Sequence, residues 1–594
     1  MSALNLVIGA ALILVIGYRL YGSFIAAKVL AFDSNRPTPA VTMNDGKDYV
    51  PTNKWVAFGH HFAAIAGAGP LVGPVLAAQF GYLPGFLWLL IGAVLGGAVH
   101  DMVVLFASIR YKGKSLSEIA KAEVSPITGV ATGIAILFIV VIAMAGLGIV
   151  VVNALFKNSW GVFSVGITIP IAMFIGLYMM KLRPGKIGEA SFIGFTLVLL
   201  GVFFGPYVAE SSIGQWFFLQ ENTVKILLPT YGFLAATLPV WLLLAPRDYL
   251  STYLKVGTIG ALALGILVVN PKINFPATTS FINGGGPLVN GPVWPFVMIT
   301  IACGAISGFH ALISSGTTPK MIKNEADIKF IGYGAMLTES FVGVMALIAA
   351  TVLMPGDYFA INTTPKVFAT LNMQTVELAQ LSQMVGLDLA GRTGGAVTLA
   401  VGMAKIFSSA LGGGLMKYWF EFAIMFEALF ILTTIDAGTR VARYIVQDFF
   451  GEVYKPLKNV SWWPGVLFSS ALVSFAWGYL LYGGSVKTIW PIFGVSNQLL
   501  AVLALCIGTS IILKNSEKMS YALITFLPMV FLGVTVFYAG IVSILNTYLP
   551  KNDYLKVVVM VIMLVLVVII VADSVIKWLN IIKARKAGQN VRSL

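Results

Sequence analysis

Long apolar segments recur along nearly the whole chain, and they restrict the possible folds more than any other feature. A window of about 20 apolar residues is enough to cross a lipid bilayer as a helix. Of the 594 residues, 58% are hydrophobic and 10% charged, and the mean hydropathy is +0.90. These values predict an all-α polytopic membrane protein rather than a soluble domain. About fifteen spans are expected, near residues 3–22, 56–79, 86–109, 126–154, 161–180, 189–208, 226–246, 252–270, 294–316, 330–354, 413–437, 462–482, 489–513, 520–546 and 554–579.

Basic residues are concentrated in alternate loops between these segments. The positive-inside rule then places the N-terminus outside and the C-terminus inside. The cytoplasmic set includes Arg247 with Lys255 and Arg440 with Arg443. Residues 394–411 do not fit an alternating count, so we expect a re-entrant or surface-lying segment on the external side. The formal net charge of +14 is thereby explained by topology, and no nucleic-acid partner is expected.

The cysteine and histidine patterns exclude several other classes of protein. Cys303 and Cys506 both lie in apolar runs, so neither a disulfide framework nor a cysteine metal site is indicated. The four histidines show neither His-x-x-x-His nor HExxH spacing, which leaves a metalloenzyme as a weak alternative. We therefore predict no enzymatic activity and no cofactor.

The stretch GHHFAAIAGAGPLVGP, residues 59–74, interrupts the second apolar segment with four glycines and two prolines. Irregular backbone is tolerated at membrane depth only where protein buries it or a water-filled cavity adjoins it. Pro70 suits the first turn of a new helix, and Gly67 and Gly69 allow close approach to the main chain. The sequence therefore predicts a broken helix whose free N–H and C=O ends could bind a ligand. The alternative is a close helix crossing through small residues.

A weak internal match indicates a repeat. AAIAGAGPLVGPVLA around Pro70 resembles FLAATLPVWLLLAP around Pro239, at an offset of 239 − 70 = 169 residues. Five spans lie between the two starts, and an odd number inverts the second copy. Chance similarity between glycine-rich helices is the alternative. The expected regions are an N-terminal span and loop (1–55), a first five-helix repeat (56–208), a second repeat (226–437, with an external insertion at 355–411), four peripheral spans (462–579) and a basic tail (580–594).

Three stretches resemble the carbon starvation protein A family. These are GHHFAAIAGAGPLVGPVLAAQFGYLPGFLW, GGAVHDMVVLFASIRYKGKSL and SGFHALISSGTTPK. The resemblance implies a transporter of the prokaryotic cytoplasmic membrane that takes up peptides or, in one branch, pyruvate with protons. It also implies the leucine-transporter-like fold, a five-plus-five inverted repeat with one additional N-terminal and four additional C-terminal spans here.

On that fold, a small carboxylate or a peptide C-terminus is expected to bind at the two interrupted helices. The amides of Ala68 and Gly69 would face the carboxylate, and the segments 126–154 and 294–316 would line the cavity beside them. The substrate-binding candidates are Gly67, Ala68, Gly69, Pro70, Thr237, Pro239, Trp241 and Ser307.

Ionisable residues at membrane depth are the candidates for coupling. His61 and His310 could bind a proton near neutral pH, as could the carboxylates Asp101 and Glu427. Each also has a structural alternative: a hydrogen-bonded histidine, or for Asp101 a partner for Arg110 or a neighbouring helix. If the coupling ion were sodium instead, the fold resemblance would assign Ser314 and Ser315 to it.

The expected function is therefore secondary active uptake by alternating access, with H⁺ as the coupling ion and Na⁺ as the alternative. A channel and a membrane sensor are the other possibilities. Passive flux would distinguish a channel from a symporter, and a soluble signalling domain would indicate a sensor. Membrane lipid is the expected surrounding. Peptide and pyruvate are both candidate substrates.

Overall fold

The computed structural model describes residues 1–45, 49–183, 186–239, 242–451, 453–459 and 462–589. Within these ranges the regular secondary structure is helical and no β-sheet forms, with three isolated bridges between loop residues. Apart from short helices in the loops, the helices in chain order are α1 (Ala3–Val29), α2a (Lys54–Ile65), α2b (Gly69–Phe80), α3 (Tyr82–Arg110), α4 (Pro126–Leu155), α5 (Ser159–Leu182), α6 (Gly188–Glu210), α7 (Glu221–Thr237), α8 (Leu244–Val269), α9a (Val293–Thr300), α9b (Phe309–Ser315), α10 (Glu325–Thr351), α11 (Ala396–Leu411), α12 (Met416–Gly451), α13 (Trp463–Tyr482), α14 (Val486–Asn515), α15 (Met519–Lys551) and α16 (Tyr554–Lys586).

Ten helices in the described part of the chain are long and apolar enough to cross a membrane, or eleven if α2a and α2b form one bent span. The all-helical membrane architecture expected from hydropathy is thus confirmed, whereas the count of about fifteen is not. One reason is that the expected windows at 226–246 and 252–270 are divided differently. Helix α7 ends at Thr237, and a single helix, α8, begins at Leu244.

The interruption expected in the second apolar segment is present in the structure. Helix α2a begins after Asn53, whose side chain accepts a hydrogen bond from the amide of Trp55, and it ends at Ile65. Residues 66–68 are not helical, and α2b begins at Gly69, with Pro70 in its first turn. The two halves meet at an angle of 48°. Proline suits this first turn because an N–H there has no partner within the helix.

A second interruption lies between α9a and α9b and was not expected from the sequence. Residues 301–308 separate the two halves, within a segment expected to be one continuous span. The side-chain amide of Asn497 on α14 holds this segment: its oxygen accepts from the Phe309 amide at 2.8 Å and from Ser307 Oγ at 3.2 Å. The Asn497 carbonyl also accepts from the Gly308 amide at 3.1 Å.

Helix α12 forms hydrogen bonds with both α7 and α8. Arg440 donates to the carbonyls of Ala235 and Leu238 at the end of α7. On the same helix, Asp436 accepts from Arg247 of α8 at 3.2 Å. Arg247 and Lys255, expected in a cytoplasmic loop, are both buried within α8. Their charges are satisfied by protein groups, so these two residues cannot serve as evidence for sidedness.

The C-terminal helices differ in their burial. The most apolar part of α14 is entirely buried, whereas the corresponding parts of α13, α15 and α16 are less than half buried. The expected peripheral position therefore suits α13, α15 and α16 better than α14. Exposed leucine, valine and phenylalanine side chains on these outer helices suit contact with lipid.

Candidate functional site

The two helix interruptions cross each other at the centre of the molecule. A Cβ atom added to Gly69 would overlap the side chain of Cys303, and one added to Gly73 would lie 2.5 Å from the carbonyl oxygen of Thr300. A Cβ on Gly304 would lie 3.7 Å from the Cα of Pro70. Only residues without a side chain allow backbones to approach this closely. The local sequence therefore determines where the crossing can form.

Residues 67–70, four of the predicted substrate-binding positions, are buried at this crossing. Among the described residues, the amides of Ala68 and Gly69 have no hydrogen-bond partner. Two unpaired, buried amides at the start of a helix form a site suited to an anion. Of two cavities with apolar linings, the one of about 660 Å³ borders α9a and Ile306 of the second interruption, and the one of about 560 Å³ lies between α6, α8, α11 and α12. Neither is lined by residues 67–70, which are buried in this conformation.

The opposite end of the first interruption, at the end of α2a, carries a cation. Lys255 Nζ donates to the carbonyls of Ala63 at 3.0 Å and Ala66 at 3.3 Å, and it lies 4.3 Å from the centre of the Phe430 ring. The Lys255 residue is 2% exposed. This arrangement places a positive charge at the carbonyl end of a helix, where the helix dipole favours it.

His310 and Asp101, two of the predicted coupling residues, are in direct contact. His310 Nδ1 lies 2.9 Å from Asp101 Oδ2, and His310 Nε2 lies 3.1 Å from Glu339 Oε2. His100 Nδ1 contacts the other oxygen of Asp101 at 2.7 Å. All four side chains are fully buried. We refer to His100, Asp101, His310 and Glu339 as the imidazole–carboxylate cluster.

Asp101 therefore does not pair with Arg110, which was one of its expected partners. Arg110 instead contacts Glu325 at 2.5 Å, near the beginning of α10. The other predicted histidine, His61, lies in α2a, and its Nδ1 is 2.8 Å from Thr318 Oγ1. His61 has no hydrogen bond to the cluster among the described contacts.

Glu427 and Ser307 are buried in different surroundings. Glu427 lies in α12, 1% exposed, and neither carboxylate oxygen has a hydrogen-bond partner among the described residues. Ser307 lies in the second interruption, bonded to Asn497. On α9b, Ser315 Oγ donates to the carbonyl of Ala311, and Ser314 Oγ is buried without a partner in the described part of the chain.

The structure does not bring Thr237 and Pro239 to the first interruption. Thr237 Oγ1 donates to Leu234 within α7, and Pro239 is exposed. Helix α7 packs mainly on α4, α12 and α13. Trp241 lies outside the described residues.

Two features of the site were not predicted, although the sequence contains a signal for each. The glycines of CGAISG, residues 303–308, interrupt an apolar run just as those of the first interruption do. Lys255 stands between apolar residues, eight positions after Arg247, and was counted as a loop charge. A cationic residue inside an apolar run can equally mark a buried partner, here the carbonyls at the end of α2a.

The chain is similar in sequence to several known transporters. The chain is 59% identical over 588 residues to a peptide transporter CstA of Bacillus subtilis, covering 98% of both chains. It is 52% identical to a peptide transporter CstA of Campylobacter jejuni, covering 92% of this chain and 80% of the relative. It is 47% identical to the pyruvate/proton symporter BtsT of Escherichia coli, covering 91% and 81%.

A crystal structure of a manganese transporter from Eremococcus coleocola aligns with 90% of this chain and 98% of its own, at 12% identity and a TM-score of 0.43. That likeness supports no argument about fold or cargo. The model of the family described as "Carbon starvation protein CstA" matches residues 2–539 of this chain. The chain therefore belongs to the carbon starvation protein CstA family.

Proposed function

We propose that this protein imports small carboxylate nutrients, peptides or pyruvate, across the cytoplasmic membrane by proton-coupled alternating access. The observation that carries the proposal is the pair of unpaired, buried amides at Ala68 and Gly69, where two interrupted helices cross. Relatives named as peptide transporters and as a pyruvate/proton symporter support the same class of cargo. Both cargoes carry a carboxylate, so one anion site serves either.

The substrate carboxylate would accept hydrogen bonds from the two amides at the start of α2b. Charge-assisted bonds of this kind are about twice as strong as neutral ones, and the helix dipole adds to them. Cys303 and Gly304 of the second interruption adjoin Gly69 and Pro70. Ser307 lies in the same interruption. A ligand bound here would therefore touch both interrupted helices, so that its binding could control their relative position.

The imidazole–carboxylate cluster would bind the coupled proton. His310 Nδ1 is hydrogen-bonded to Asp101, and His310 Nε2 lies 3.1 Å from Glu339 Oε2 in an ion-pair contact without hydrogen-bond geometry. An imidazolium, which carries a proton on each ring nitrogen, suits this position between two carboxylates. Asp101 and Glu339 together with one imidazolium leave a net negative charge. Burial of an unbalanced charge is costly, so the buried cluster favours binding one further proton, which removes this charge. His61 and Glu427 are secondary candidates for the same role.

We propose an inverted repeat that pairs α2–α3 with α9–α10 instead of the expected pairing of 56–79 with 226–246. Both α2 and α9 are interrupted. Helix α2b packs on α10, and α9b packs on α3, which is the exchange that a two-fold relation requires. The second copy is inverted if α7 and α8 each cross the membrane as the sequence analysis expects, because seven crossings then separate the starts of α2a and α9a, and an odd number inverts the copy.

Loop contacts support the proposed sidedness. Among loops expected outside, Ser2 bridges to Lys272, and Arg392 donates to the Phe156 carbonyl. Among loops expected inside, Pro37 bridges to Asn324 and Thr52 to Ile322. Helix α11 fits a segment that stays near the outer side, because Lys405 on it pairs with Glu377 of the external insertion.

Uptake by the purified protein in proteoliposomes tests the function. With an inward proton gradient, pyruvate or a dipeptide should accumulate above its external concentration, and a protonophore should abolish the accumulation. A sodium gradient alone should have no effect. Flux that follows voltage without accumulation would instead identify a channel, and absence of flux for both cargoes would reject the proposal.

A further inference from the structure

The carbonyl end of α2a has an internal cation as its partner. The last carbonyls of a helix receive no hydrogen bond from an amide of that helix, so other donors must satisfy them. Here the Ala66 amide donates to the Phe62 carbonyl, and the Gly67 amide donates to that of Ile65. The Ala63 and Ala66 carbonyls both accept from Lys255 Nζ, at 3.0 and 3.3 Å. A side-chain ammonium thus completes the end of the interrupted helix.

The position of Lys255 is the one that a coupling cation would need. In transporters built on interrupted helices, unwound carbonyls and half-helix C-termini coordinate the driving ion. Lys255 comes from a different helix, α8, and its ammonium also lies 4.3 Å from the Phe430 ring centre on α12. Neighbouring Thr434, one turn further along α12, would lie 3.0 Å from a Cβ added to Gly67. Helices α8 and α12 therefore enclose the carbonyl end of α2a.

We propose that Lys255 is the resident cation of the first interruption and determines the ion specificity of this protein. Its ammonium occupies the carbonyls that would otherwise bind Na⁺, so that the protein needs no sodium to hold α2a against α8. The inference deepens the proposed function, on which it rests for the statement about transport. The residue acts on ion choice, whereas the amides at Ala68 and Gly69 act on the substrate.

Replacement of Lys255 by alanine tests the assignment without any substrate. The thermal unfolding midpoint of the purified wild-type protein should be the same in sodium chloride as in choline chloride. Lys255→Ala should have a lower midpoint in choline chloride, and sodium or lithium should raise it because a cation can now bind the vacated carbonyls. Lys556→Ala is the control: Lys556 is also buried and paired with Asp553, but it lies on α16, away from both interruptions.

Two outcomes would overturn the proposal: a wild-type midpoint that rises with sodium, or a Lys255→Ala midpoint that is indifferent to cations. If Lys255→Ala does not fold, Lys255→Arg decides the question, since a guanidinium retains the charge and the donors. A folded Lys255→Arg protein that is insensitive to sodium supports the proposal, and one that requires sodium or cannot be purified contradicts it. These midpoints remain informative even if neither peptide nor pyruvate is the cargo.

Discussion

Gly69 combines two roles that no other residue type could fill. Its missing side chain allows Cys303 of the second interruption to lie against the first, and its amide is one of the two unpaired donors at the start of α2b. A side chain at this position would therefore separate the two interrupted helices and cover the amides together. The site is consequently sensitive to the addition of a single methyl group.

We predict that Gly69→Ala reduces uptake about tenfold or more, a loss that corresponds to roughly 1.4 kcal/mol of binding or activation free energy. Gly59→Ala is the matched control, because Gly59 lies in the adjoining helix α2a and a Cβ there would meet no atom within 4 Å. Initial rates of uptake, normalised to folded protein, provide the measurement. Equal rates for the two variants would show that the crossing does not bind substrate.

His310 belongs to the proposed proton site and stands at the beginning of α9b, next to the second interruption. Replacing it by glutamine keeps a polar side chain but removes the titratable ring between Asp101 and Glu339. We expect His310→Gln to lower proton-driven accumulation much more than substrate exchange, because exchange needs no net proton movement. His60→Gln should leave both unchanged, since His60 is exposed and contacts only Thr317 among the described hydrogen bonds. If exchange and accumulation fall equally, His310 is structural.

At the scale of elements, α14 is bonded to the second interruption. The Asn497 side chain bonds to Cys303 and Ser307 of that interruption and to the Phe309 amide at the start of α9b, and the Asn497 carbonyl accepts from Gly308. A Cβ on Gly308 would overlap the α14 backbone, so the segment lies directly on this helix. Movement of α9 would therefore require either movement of α14 or release of these bonds.

Asn497→Ala should lower the thermal unfolding midpoint, because each buried group left without a partner costs about 1–3 kcal/mol. It should also reduce uptake, since residues 301–308 lose the bonds that fix their shape. Asn515→Ala, at the end of the same helix, removes only a bond to the carbonyl of Ile511 and should change both quantities little. Full uptake by Asn497→Ala would mean that the shape of the second interruption does not depend on α14.

The sequence predicts the first interruption but not its partner, for identifiable reasons. Pro70 and its neighbouring glycines are local signals, and the backbone responds to them directly. Which segment lies opposite depends on tertiary packing. The resemblance around Pro239 predicted a counterpart in α7, whereas the segment observed against the first interruption lies between α9a and α9b. The sequence analysis assigned Lys255 to a loop, because a sequence alone does not show that the Ala63 and Ala66 carbonyls at the end of α2a accept hydrogen bonds from it.

At the scale of the whole molecule, contacts on both sides of the crossing keep it closed. On the proposed outer side, Gln79 at the end of α2b bonds to the loop residues Leu288 and Val289, and Tyr358 donates to the Val75 carbonyl. On the proposed inner side, His61 contacts Thr318. These contacts hold one conformation of a transporter that must open to each side in turn.

This assignment of sides can be tested with single cysteines in the otherwise unchanged chain. Cys303 and Cys506 are buried, so the wild-type protein should not react with a membrane-impermeant maleimide and serves as the control. Both Lys272 and Lys323 are exposed, the first in a loop proposed to be external and the second in one proposed to be cytoplasmic. Lys272→Cys should be labelled in intact cells, whereas Lys323→Cys should be labelled only after permeabilisation. The reverse pattern would invert the molecule and place the half-helix that begins at Ala68 and Gly69 on the cytoplasmic side, which would contradict the proposed sidedness.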